Sequence, residues 1–118
     1  MQKVYISVPC VGRKQKDIQD TINKIEKTLT GLYDKELQFE HTVYIPDQND
    51  MWNWSYSLQK MSTCDMFVRL DMCHSYNETR LEMYAANILS SMSEIVLPSR
   101  LYAPDVYKKE TEALEIAE

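Results

Sequence analysis

The stretch ETRLEMYAANIL places Glu78 and Glu82 four residues apart, a spacing that puts two side chains on one face of a helix. Carboxylates in a first helical turn suit the helix dipole and are ordinarily solvated. One partly withdrawn from water can instead be an ionised nucleophile or a general base. Leu81, Ala85, Ile88 and Met92 mark the stripe expected to be buried, and Glu82 lies beside it in angle. That places Glu82 at the margin of the core.

Two other stretches could carry chemistry. Gly12 and Arg13, just after SVPC, could cradle a phosphate or sugar, with Ser7 a few residues before, or could be a plain turn with a solvated arginine. Trp52 and Trp54 in DQNDMWNW could stack on a planar base, or fold back as lids on the core. The third loop, DMCHSYNE, brings Asp71, Tyr76 and Asn77 to the entrance of the Glu78/Glu82 helix.

These candidates need a scaffold, and the hydrophobic periods predict one. Val4 to Val8 (VYISV), Phe39 to Ile45, Met66 to Leu70 and Glu94 to Leu97 have strand character. Ile18, Ile22, Ile25 and Leu29 recur at helical spacing, with Gly31 as the expected C-cap. Tyr56 to Met61 ends a short helix and Glu78 to Met92 forms a long one. Strand and helix alternate throughout. The expected fold is therefore α/β: one compact domain with a mostly parallel, doubly wound, flavodoxin- or Rossmann-like sheet and helices on both faces. Residues 1–103 form the domain, and 104–118 a charged, helix-prone tail whose Glu110, Glu112, Glu115 and Glu118 read as a solvated face. In open sheets of this kind ligands bind beyond the carboxyl ends of the strands, where all three loops fall.

Composition narrows the partners. A chain of 118 residues with net charge −5 and thirteen scattered Lys and Arg residues has no basic stripe for nucleic acid. No apolar run approaches the roughly 20 residues needed to span a bilayer. The opening MQKVYISVPC enters a strand pattern without the features of a secretion signal, so a cytoplasmic location is expected. Cys10, Cys64 and Cys73 include no CxxC pair, and the adjacent Cys73 and His74 are poorly spaced as ligands, so neither a disulfide framework nor a metal site is expected.

Three segments in order resemble the nucleoside 2-deoxyribosyltransferase-like superfamily, including its small bacterial and phage members. VYISVPCVG resembles that family's "YISGPITG" type of strand and loop. Cys64-Asp65 leading into the third strand is similar to "CDAIVLL", and ETRLEMYAANIL is similar to "GARLEYELA" or "GTAYEIGYA". The resemblance runs from about residue 3 to residue 98. It implies that Glu82 is the nucleophile and that Tyr5 hydrogen-bonds it. Such a glutamate attacks the anomeric carbon of a 2′-deoxyribonucleoside, and another base or water captures the deoxyribosyl-enzyme. No cofactor or metal is implied. The partner is a small-molecule nucleoside or nucleotide, and the assembly a dimer.

The departures are specific. Glu78 stands where the family has glycine, Tyr76 where it has a base-contacting aspartate, and Ser57 where it has another acid. Glu78 or Asp71 is then the expected proton donor to the leaving base. Ser7, Gly12, Arg13, Trp52, Tyr76 and Asn77 are the expected substrate contacts. A non-catalytic nucleotide-binding module using the same cleft is the alternative.

Overall fold

Four short runs, QKVYI, LQFEH, MFVRL and SEIVL, pair into one sheet. They are β1 (Gln2–Ile6), β2 (Leu37–His41), β3 (Met66–Leu70) and β4 (Ser93–Leu97), in the order β2-β1-β3-β4 and all parallel. The computed structural model describes residues 2–33, 36–44, 52–89 and 92–117. Asn49 and Asp50 of the tryptophan loop lie outside them.

Connection handedness decides which face each helix covers. Right-handed crossovers put α1 (Gln15–Leu32), which carries the chain from β1 to β2, on one side of the sheet. The path from β2 to β3 runs the opposite way, so α2 (Trp54–Met61) lies on the other side, followed by α3 (Asn77–Leu89). The packing agrees. Val4, Ile6, Val68 and Leu70 meet Ile18, Ile22, Ile25 and Leu29 of α1. Tyr5 and Phe67 meet Met61 of α2 and Ala85 and Ala86 of α3. The result is a flavodoxin-like α/β domain with both sheet faces covered. Among the described residues no helix is long and apolar enough to cross a membrane.

Several elements depart from the sequence expectation. Gly31 lies inside α1, and Tyr33 caps the helix instead, its N–H reaching the Leu29 carbonyl at 3.1 Å. β2 ends at His41. On α3 the expected buried stripe holds only in part: Ala85 is buried and Met92, beyond the helix, packs on the same cluster. Leu81 is 46% and Ile88 80% exposed, while Glu78 and Glu82 are buried. The helix has turned its carboxylates inward because four donors wait beneath one of them.

The tail is also more than a solvated extension. A single turn, α4 (Ser99–Tyr102), precedes α5 (Pro104–Ala117), which opens on a proline preset for a first helical turn. Ala103 and Val106 are fully buried against the α1 face. Glu110, expected in solvent, is buried and accepts the Ser75 N–H at 2.8 Å.

Candidate active site

Alternation along the strands decides which side chains converge. Val4 and Ile6 point toward α1, so Tyr5 and Ser7 point toward α3. β2 pairs in parallel with Tyr5 opposite Glu40 and Ile6 opposite His41. Thr42 therefore continues the same face beside Ser7, its N–H on the Ile6 carbonyl at 3.1 Å.

Glu82 descends from α3 into this group and is fully buried. Its Oε1 accepts the Ser7 hydroxyl at 2.7 Å and the Thr42 hydroxyl at 2.7 Å. Its Oε2 accepts the Tyr5 phenol at 2.8 Å and the Trp52 indole N–H at 3.2 Å. Thr42 Oγ1 also accepts the Val8 N–H at 2.9 Å, which leaves its own proton for the carboxylate. Burial raises the Glu82 carboxyl above its ordinary 4.5, and the donors, Thr42 and Ser7 first, pull the other way. The Tyr5 phenol is pushed far above its ordinary value by burial and then by the Glu82 charge, so it remains a donor.

One turn earlier, Glu78 is also buried. Its Oε2 accepts the Val11 N–H at 2.9 Å and faces the Cys10 thiol at 3.5 Å. Among the described residues no donor reaches its other oxygen. The Cys10 thiol is pushed up by burial and then by the neighbouring Glu78, so it stays protonated.

The network gives a direct prediction. Thr42→Val keeps the volume but strips an acceptor from Val8 N–H and a donor from Glu82, and should cost roughly 1–3 kcal/mol in urea denaturation. A variant as stable as the wild type would show that Glu82 does not depend on this bond.

Comparison with protein-family models, with curated proteins and with solved structures finds no match.

Of the expected site residues, the structure brings Glu82, Tyr5, Ser7 and Trp52 together, with Glu78 one turn away. Gly12 sits exposed at a turn with φ +80°, a conformation its missing Cβ allows; the Arg13 N–H closes that turn on the Cys10 carbonyl. Arg13 is not a ligand contact. It is buried and donates to the Pro9 and Asp17 carbonyls, the Thr21 hydroxyl and both Asp105 oxygens, leaving no free fork for a phosphate. Asp71 Oδ1 accepts the Ser99 N–H and hydroxyl at 2.8 and 2.9 Å and so anchors α4. Tyr76 is buried in the core on the α1 side of the sheet, with Lys109 Nζ 4.7 Å from its ring centroid. Asn77 is exposed at the start of α3.

Thr42 and Cys10 were missed. Both follow strands at their carboxyl ends, but Thr42 becomes a partner of Glu82 only through the β1–β2 register, which no local pattern reveals. Among the described residues no three His, Cys, Asp or Glu side chains gather as a metal ion would need.

Proposed function

We propose that the chain breaks or exchanges the N-glycosidic bond of a 2′-deoxyribonucleoside or deoxynucleotide, with Glu82 as nucleophile. The observation that carries this reading is the 2.8 Å hydrogen bond between Tyr5 and Glu82, residues far apart in sequence that the resemblance to nucleoside 2-deoxyribosyltransferase-like proteins pairs. They meet at the carboxyl end of the parallel sheet, close to where the strand order reverses, the edge at which open sheets of this kind bind ligands.

In the proposed reaction a Glu82 oxygen attacks the anomeric carbon. The carbon–nitrogen bond breaks with its electron pair going to the base, and positive charge builds on the sugar ring in between. Glu78, one turn from Glu82, delivers the proton to the leaving base, with Asp71, whose Oδ1 anchors Ser99, as the other candidate. Water or a second base then attacks the same carbon and frees the carboxylate. A 2′-deoxy sugar lacks the electron-withdrawing hydroxyl that would oppose the ring cation. The mechanism routes no step through a cofactor.

A binding-only reading has one observation in its favour. Each Glu82 oxygen already holds two donors, so attack requires one to leave, and Trp52 makes the longest bond. Incubation with mixed deoxynucleosides, deoxynucleotides and a free acceptor base, read by mass, tests both. Free base indicates a hydrolase and exchanged base a transferase. Saturable binding with neither product supports the module and overturns the reaction.

A further inference from the structure

We propose that the cavity between the end of β3 and the first turn of α3 binds a phosphate group, either the free ion or the end of a small monoester. Arg69 of β3, Arg80 of α3 and His74 of the loop between them line this cavity, and no carboxylate does. In a chain with 18 acidic and 13 basic residues, composition alone favours the reverse. The recess beside α1 shows the ordinary case, where Asp17, Asp20 and Asp105 share the lining with Lys24.

Both guanidinium groups have donors to give. Arg69 Nε donates to Glu94 Oε1 at 3.1 Å, and among the described residues its terminal nitrogens form no hydrogen bond. Arg80 is exposed and forms no ion pair among the described residues. Arg13, by contrast, is consumed inside the fold. A planar guanidinium fork matches the oxygens of a phosphate two at a time. The acidic groups around the loop are engaged, Glu94 with Arg69, Asp71 Oδ1 with Ser99, and Glu110 with the Ser75 N–H.

The backbone adds donors of its own. Met72 has φ +51°, a left-handed conformation that a residue with a side chain adopts at a cost. Around it Asp71 donates its N–H to the Leu97 carbonyl, Tyr76 to the Cys73 carbonyl, and Ser75 to Glu110. The N–H groups of Met72, Cys73 and His74 find no acceptor among the described residues, and all three residues line the cavity. Successive peptide N–H groups about a left-handed residue are an arrangement that holds anions.

Size selects the ligand. The cavity measures ≈ 90 Å³, well under the roughly 300–1,000 Å³ of pockets that enclose a whole organic molecule. One tetrahedral oxyanion suits it. His74 and Arg80 are exposed, so the ion enters from solvent and the organic part of a monoester stays outside. The cavity is also separate from Glu82. At about 3.6 residues per turn, Thr79 and Met83, which line it, lie on a different flank of α3 from Glu78 and Glu82. The inference therefore stands whether or not the glycosidic reading does.

Amide NMR spectra of the full chain, titrated with sodium phosphate at constant ionic strength, test the proposal. Saturable shifts centred on Met72, Cys73 and His74 are expected, with a dissociation constant on the order of 1 mM. Arg80→Met, at an exposed residue, should keep the circular dichroism and melting of the wild type and raise that constant at least about tenfold. Lys27→Met removes the same charge from an exposed position on α1, across the sheet, and should leave the constant unchanged. Methyl phosphate separates the two sources. Saturation equal to that of the ion assigns the site to a monoester end, and saturation by inorganic phosphate alone assigns it to the free ion. Shifts that never saturate, that centre elsewhere, or that weaken equally in the Arg80 and Lys27 variants overturn the proposal.

Discussion

Glu82→Gln is expected to leave a folded protein whose release of base from deoxynucleosides falls at least roughly 10⁴-fold, the scale seen when a nucleophile is removed. Gln is the informative substitution because it preserves the network. Its amide oxygen can accept from Tyr5 and Trp52, and its amide nitrogen can donate to the Ser7 and Thr42 oxygens. Ala would leave four buried donors without an acceptor and confound loss of chemistry with loss of fold. Mass detection of free or exchanged base reads the result. Turnover at the wild-type rate in the Gln variant defeats the assignment.

The same variant has a pH signature with a definite sign. Burial holds the Glu82 carboxyl above its ordinary 4.5, so across that interval the folded state binds its proton more tightly than the unfolded chain does. The stability this contributes is fully present below about 4.5 and is lost as pH rises through the raised folded value. Gln does not titrate, so that stretch of pH dependence should vanish from its melting profile. Activity should run the opposite way in the wild type, rising with pH over the same interval, because attack needs the ionised carboxylate.

The second large effect is structural. Arg13→Met should cost roughly 2–4 kcal/mol and lower the melting temperature by on the order of 10 °C. The guanidinium is buried and ties the turn after β1 to α1 and α5, and Met replaces its stem but none of its donors. Burial raises the Asp105 carboxyl, but the Arg13 hydrogen bond and charge outweigh it and hold the group below its ordinary 3.8. This stabilisation is present above that value and lost as pH falls through the lower folded one. The difference between wild type and variant should therefore narrow in strong acid. Equal melting temperatures at neutral pH would return Arg13 to the pool of ligand contacts.

The contrast between Arg13 and Glu82 shows what can be seen in a sequence of this kind. Both were singled out from residue type and position. Arg13, next to a glycine after a strand, fits a phosphate loop as well as an internal tie. Only the presence of Asp105, ninety-two residues later, separates the two. Glu82 was placed at the core margin because helical angle alone ranks a carboxylate below Leu81 and Ile88 for burial. The structure reverses that order.

Period and punctuation determined the alternation of elements, the parallel sheet, and the edge on which the loops gather, because these follow from backbone geometry and local side-chain pattern. Tertiary structure decided which carboxylate found donors, which arginine was consumed internally, and which flank of α3 was left exposed. Hydrogen-bond satisfaction is settled by strand register and by contacts across long loops, and a buried charge goes where those contacts are, even when a leucine is the more apolar choice.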